Sequence, residues 1–97
     1  MKRTLEWKVG LYLSEEDGTT QARAVLDTGS STLTGQGTAR CSAEDADVPE
    51  IGDELAASRA LKDLAGHLMR VADRDMERVG AGAEAPLGPP YSWTVGA

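Results

Sequence analysis

From Ile51 to Val79 the apolar residues recur at a spacing that only a helix satisfies. At 100° per residue Ala57, Leu61, Leu64, Ala65, Leu68, Ala72, Met76 and Val79 fall on one side, with charged residues on the other. Pro49 is tolerated at or just before a first helical turn, because its missing N–H is one that the turn leaves unbonded anyway. Glu50, Asp53 and Glu54 then complement the positive end of the helix. Gly80, free of a Cβ, ends it. A helix over 51–79 would extend about 43 Å at 1.5 Å per residue. Nothing in the remainder of the chain matches that length, so the helix either breaks near Ala72-Asp73-Arg74 or overhangs whatever it packs on.

The first half has period two instead. Leu5, Trp7, Val9, Leu11 and Leu13 alternate with Glu6, Lys8, Gly10 and Tyr12, the pattern of a half-buried strand over 5–13. Ser14 to Gly18 reads as a hairpin loop whose Asp17-Gly18 pair tolerates positive φ. A second strand runs from about Thr19 to Asp27, with Ala22, Ala24 and Leu26 inward. Thr28-Gly29-Ser30-Ser31 turns the chain into a third strand from about Thr32 to Arg40. There Leu33, Gly35, Gly37 and Ala39 share a face, and the missing side chains let a helix lie close. Nine strand residues extend about 30 Å, which makes the helix the longer element. The expected architecture is α+β: a three-stranded antiparallel meander followed by one long helix on one face. Residues 1–79 form this β-β-β-α domain. Residues 80–97 form a Gly/Ala/Pro-rich tail ending in Tyr91-Ser92-Trp93-Thr94-Val95.

Ninety-seven residues with no Phe, two Trp and two Tyr give one modest core, and chains of this size often bury more surface against a second copy. A homodimer covering the helix overhang at Val71, Met76 and Val79 is the expectation. The single cysteine, Cys41, excludes an intramolecular disulfide and a thiolate set for zinc. The start shows no secretory pattern and no run long enough to cross a bilayer, so a cytoplasmic location is expected.

Charge narrows the function classes. The net charge of −6 resides in Glu44, Asp45, Asp47, Glu50, Asp53 and Glu54, since the other ten acids balance the ten Lys and Arg. Such a balance disfavours a general nucleic-acid or anionic-membrane binder. The acidic run lacks the ligand spacing and central glycine of a calcium loop, so no metal is expected. Gly35-Gln36-Gly37 lies within a strand, away from any helix start, and so does not form a phosphate loop. His67, the only histidine, falls toward the polar helix face with no nucleophile set around it, and no catalytic trio can be assembled. No enzyme activity, cofactor or small-molecule substrate is expected.

Two surfaces remain as candidates. Arg59, Lys62, Arg70, Arg74 and Arg78 gather on the helix face opposite the apolar one, with Arg59–Asp63 and Arg70–Asp73 as local pairs. This set could touch RNA phosphates, as could Lys8, Arg23 and Arg40 on the outer sheet face. Glu50, Asp53 and Glu54, together with Tyr91 and Trp93, form the second candidate, a protein-binding set. Large aromatics anchor interfaces, and an extended tail can add a strand to a sheet edge.

The run Val48-Pro49-Glu50-Ile51-Gly52-Asp53-Glu54-Leu55-Ala56-Ala57-Ser58-Arg59-Ala60-Leu61 resembles the signature of a small actinobacterial family of unknown function. Trp7, Gly35, Gly37, Ala39 and Arg40 fit that family too, and the resemblance spans about Leu5 to Val79. It implies a fold like that of double-stranded-RNA-binding domains and a homodimer. Some members are associated with hypoxia or dormancy and are similar in fold to ribosome hibernation factors. The resemblance thus implies a stress-response regulator that associates with ribosomes or structured RNA. This chain differs from hibernation factors in charge: their surfaces are strongly basic, and this one is acidic. Fold-level analogy of this kind is separate from any argument made at a site. An acidic homodimeric adaptor, binding proteins through the Glu44–Glu54 loop and the tail aromatics, is the alternative.

Overall fold

The computed structural model describes residues 2–42 and 48–80. Three strands, β1 (Val9–Glu16), β2 (Thr19–Asp27) and β3 (Thr32–Arg40), form an antiparallel sheet in the order β1-β2-β3. One helix, α1 (Pro49–Arg78), follows. The α+β meander-plus-helix read from the sequence is the architecture found. The tail at 81–97, and with it Tyr91 and Trp93, lies outside the described residues.

Turn chemistry sets the register. Asp17 (φ 53°) and Gly18 (φ 76°) form a two-residue turn that needs positive φ at both positions. Pairing therefore begins directly at Glu16↔Thr19 and continues to Val9↔Leu26. The first strand thus starts four residues later than the alternation suggested and consumes most of the expected loop. Leu5 and Trp7 precede it and are exposed. At the second turn, the Gly29 N–H donates to the Asp27 carboxylate at 2.8 Å, and the Ser31 N–H donates to the Thr28 hydroxyl at 3.1 Å. Those short-range bonds satisfy the backbone where the ladder stops.

Helix α1 is continuous through Asp73, so the overhang, not the break, is what occurs. It starts with Val48 in an extended conformation at the cap, with Pro49 following at the first helical turn and no side-chain cap. It ends where the Val79 and Gly80 N–H groups donate to the Asp75 and Glu77 carbonyls, Gly80 taking φ 77°.

The helix lies along β3 and β2 and scarcely reaches β1. The cause is the pair of strand glycines. A Cβ on Gly37 would stand 2.4 Å from the Ala56 carbonyl oxygen and from the Ala60 nitrogen. One on Gly35 would stand 2.4 Å from the Ala60 oxygen and the Leu64 nitrogen. The helix backbone rests almost directly on β3, as the small residues foretold. Alanines line the contact, and the core is Ala22, Ala24, Leu26, Ala39, Ala56, Ala60 and Leu64, with Leu33 and Leu68 packed beside it.

This close approach corrects the helix face. The buried stripe is Ala56, Ala60 and Leu64; Ala57 is half-buried, while Leu61, Ala65, Ala72 and Val79 are exposed. The period was right and the rotation was not. Large apolar side chains set the expected face, but glycine-to-alanine contact decided which residues sit against the sheet. The same offset overturns the half-buried reading of the first strand: Val9, Leu11 and Leu13 pair with Leu26, Ala24 and Ala22, yet all three are exposed.

Candidate functional site

The free edge of β3 is where the helix places its most specific polar contacts. Arg59, Asp63 and His67 are spaced four apart, so they stand in a row along one flank of α1. An Arg59 guanidinium nitrogen donates to the Thr38 carbonyl at 2.7 Å. The Asp63 carboxylate accepts from the Gln36 N–H at 2.9 Å. The His67 Nδ1 lies 2.6 Å from the Thr34 carbonyl oxygen, and its Nε2 lies 3.6 Å from Asp63. Three outward backbone groups of β3, which among the described residues has no strand on that side, are thus satisfied by side chains.

This row corrects two expectations. His67 is not a solvated surface residue but a half-buried edge clamp. Asp63 pairs with Gln36 and His67, not with Arg59. The i,i+4 spacing was visible in the sequence; the strand edge it serves was not, because that depends on where the helix lands.

The cationic set is consequently divided. Arg59 is occupied at the sheet edge, and Arg78 pairs with Asp75 at 3.1 Å. Lys62, Arg70 and Arg74 are exposed, Lys62 on the side of α1 away from the sheet and Arg70 and Arg74 on the same flank as the Arg59 row. Among the described residues Arg70 and Asp73 do not form the expected ion pair. On the outer sheet face the Arg23 guanidinium stacks over the Tyr12 ring, 5.1 Å from its centroid, while Arg40 stands two rows away.

The acidic candidate is more coherent. Glu50, Asp53 and Glu54 are exposed on the first two turns of α1, and so are the apolar Val48, Ile51 and Leu55. These apolar residues, with Thr20, Ala39 and Gly18, line a cleft of about 360 Å³ between the helix start and the β1–β2 turn. Ala57, Leu61 and Leu68 line the helix flank opposite the Arg59 row, toward the uncovered apolar side of β1. Neighbouring exposed apolar side chains of this kind are candidates for an interaction surface. Among the described residues no group of three metal-ligating side chains converges. No described helix is long and apolar enough to cross a membrane.

The fold and its surfaces define a small α+β sheet-and-helix domain whose distinctive features are a clamped β3 edge and exposed apolar faces. The chain belongs to the Rv2632c-like family, whose model matches residues 5–85. It is 42% identical over 73 residues to the uncharacterized protein Mb1767 of Mycobacterium bovis, covering 75% of this chain and 78% of that one. It is 39% identical over 70 residues to the uncharacterized protein Rv2632c of Mycobacterium tuberculosis, covering 72% and 75%. The crystal structure of Rv2632c matches with a TM-score of 0.76 and 33% identity, over 88% of this chain and 98% of that one. The family resemblance noted from the Val48–Leu61 run is thereby established at the level of the family.

Proposed function

We propose that this chain is a non-enzymatic regulatory adaptor that binds a protein partner at the start of α1. The observation that carries the reading is the patch itself: Val48, Ile51 and Leu55 exposed beside a cleft and flanked by Glu50, Asp53 and Glu54. Its complement is an amphipathic basic segment, with apolar side chains for the cleft and Lys or Arg for the carboxylates. The chain acts in the cytoplasm as a homodimer, a state favoured by exposed Met69 and Val79 on the overhanging end of α1. A place in a stress or dormancy response, and the likeness to double-stranded-RNA-binding domains, rest on family resemblance.

The second reading, association with ribosomes or structured RNA, keeps support from Lys62, Arg70 and Arg74, which are exposed on α1. It loses weight because Arg59 and Arg78 have other partners and the net charge is −6.

One titration decides between them. The full chain is titrated with a synthetic Lys/Leu amphipathic peptide and, separately, with a double-stranded RNA and with purified ribosomes, at about 0.15 M salt. The adaptor reading expects peptide binding that an Ile51→Ser, Glu54→Gln variant weakens about tenfold, a change of about 1.4 kcal/mol. Ribosome or RNA binding that falls steeply with salt and is abolished by Arg70→Glu with Arg74→Glu, without peptide binding, overturns it.

A further inference from the structure

The two edges of the sheet are treated differently. Arg59, Asp63 and His67 bond the β3 edge, whereas among the described residues nothing bonds the outer edge of β1. The register says which groups are left open there. Glu16 and Thr19 flank a two-residue turn and so exchange both ladder bonds. Alternation then turns the backbone groups of Ser14, Tyr12 and Gly10 toward β2, and those of Leu13, Leu11 and Val9 outward. The same three residues carry exposed apolar side chains on the helix-bearing face. An edge that is both unpaired and apolar is a template for another strand.

That edge is complementary to its own image. Val9, Leu11 and Leu13 are symmetric about Leu11, so a two-fold axis through Leu11 sets the edge antiparallel to a second copy. Leu11 then faces the partner subunit's Leu11, and Val9 faces the partner subunit's Leu13. These are residues with outward backbone groups, so they meet as the hydrogen-bonded pairs of a new ladder, apolar against apolar. A two-residue slip that lengthens the overlap sets Val9 against a glutamate, Glu15, and the opposite slip carries Leu13 past the start of β1. Charge agrees with the register. Lys8, one residue before β1, stands diagonal to the partner subunit's Glu16, and symmetry repeats the pairing.

The clamp on the other edge dictates which surface of a second copy can bind. A β1 edge added to a β3 edge would be a head-to-tail contact that repeats without closing and grows a filament. Arg59, Asp63 and His67 already hold the Thr38, Gln36 and Thr34 backbone groups that such a strand would need. An arriving β1 therefore finds bonding groups only at another β1, and the contact closes as a pair. Helix α1 permits the approach, because it lies along β3 and β2 and scarcely reaches β1. With the axis perpendicular to the sheet both helices stay on one face, and the only edges left are the two clamped ones.

We propose that two copies of this chain join antiparallel through their β1 edges, with Leu11 on the two-fold axis, into one continuous sheet. The inference rests on the homodimer of the preceding section and goes beyond it by placing the seam at Val9, Leu11 and Leu13.

NMR and sedimentation of the full chain, from about 10 μM to about 1 mM, test it. Val9 and Leu13 lie about 13 Å apart along one strand, so a methyl NOE between them can arise only between copies. Expected are that NOE and a protection of the Leu11 amide that rises with concentration together with the dimer. Leu11→Lys alters a side chain that is already exposed and puts two like charges on the axis. It should abolish the NOE and the dimer and lower the protection of the amide at position 11 about tenfold. The inward-bonded Tyr12 amide, unchanged, reports that the fold persists. A dimer that lacks the Val9–Leu13 NOE, or that survives Leu11→Lys, overturns this seam and leaves the homodimer standing. A chain that sediments as a monomer throughout overturns both.

Discussion

The Gln36 backbone N–H donates to the Asp63 carboxylate at 2.9 Å, so a side chain of α1 bonds the edge of a strand that has no outer neighbour among the described residues. That contact joins helix to sheet with a directional bond beside an otherwise non-directional alanine interface. Asp63→Ala should cost about 1–2 kcal/mol, the lower part of the range for a charged hydrogen bond because Gln36 is exposed. It should also unmask the β3 edge and promote self-association. Urea unfolding with light scattering measures both. An Asp63→Ala chain as stable and as monodisperse as the native one would show that the clamp is ornamental.

Glycine at position 37 is required by distance, not by dihedral angle. A methyl group there would meet helix backbone at 2.4 Å, and backbone cannot step aside as a flexible side chain does. Gly37→Ala should therefore cost about 3 kcal/mol, at the upper end for overpacking. Gly66 is the contrasting case, since a Cβ there meets nothing within 4 Å. Gly66→Ala should raise stability by about 0.5–1 kcal/mol through helix propensity. Thermal melts of the two variants should move in opposite directions.

The rotation of α1 predicts unequal costs for two leucines three residues apart. Leu64 is 5% exposed and Leu61 40%. Leu64→Ala should cost about 2–4 kcal/mol, as buried leucines do, and Leu61→Ala roughly 1 kcal/mol or less. Denaturant midpoints for the two variants check the assignment of the buried face directly; the reverse ranking would restore the face expected from the large apolar residues.

Val48 occupies the helix cap with extended dihedrals and no side-chain bond to the first turn. Val48→Ser places a hydroxyl where it can accept from a free N–H there and should stabilise the chain by about 0.5–1 kcal/mol. The same change removes an exposed apolar group from the proposed partner patch. Stability rising while peptide affinity falls would separate folding from binding at this one position.

Local chemistry determined the elements. Asp17-Gly18 fixed a hairpin turn, the β3 boundaries at Thr32 and Arg40 were readable, and the small residues of β3 announced a close helix. These follow from steric rules acting within a few residues of each other. The helix's sideways placement was a tertiary matter. Gly35 and Gly37 draw α1 onto β3 and away from β1, because backbone approach is closest where side chains are absent. That single displacement buried Ala56 and Ala60 in place of Leu61, recruited Arg59, Asp63 and His67 to the β3 edge, and left Val9, Leu11 and Leu13 uncovered. Periodicity gives the angle between residues on a helix but not which angle meets the sheet, and only packing supplies that origin.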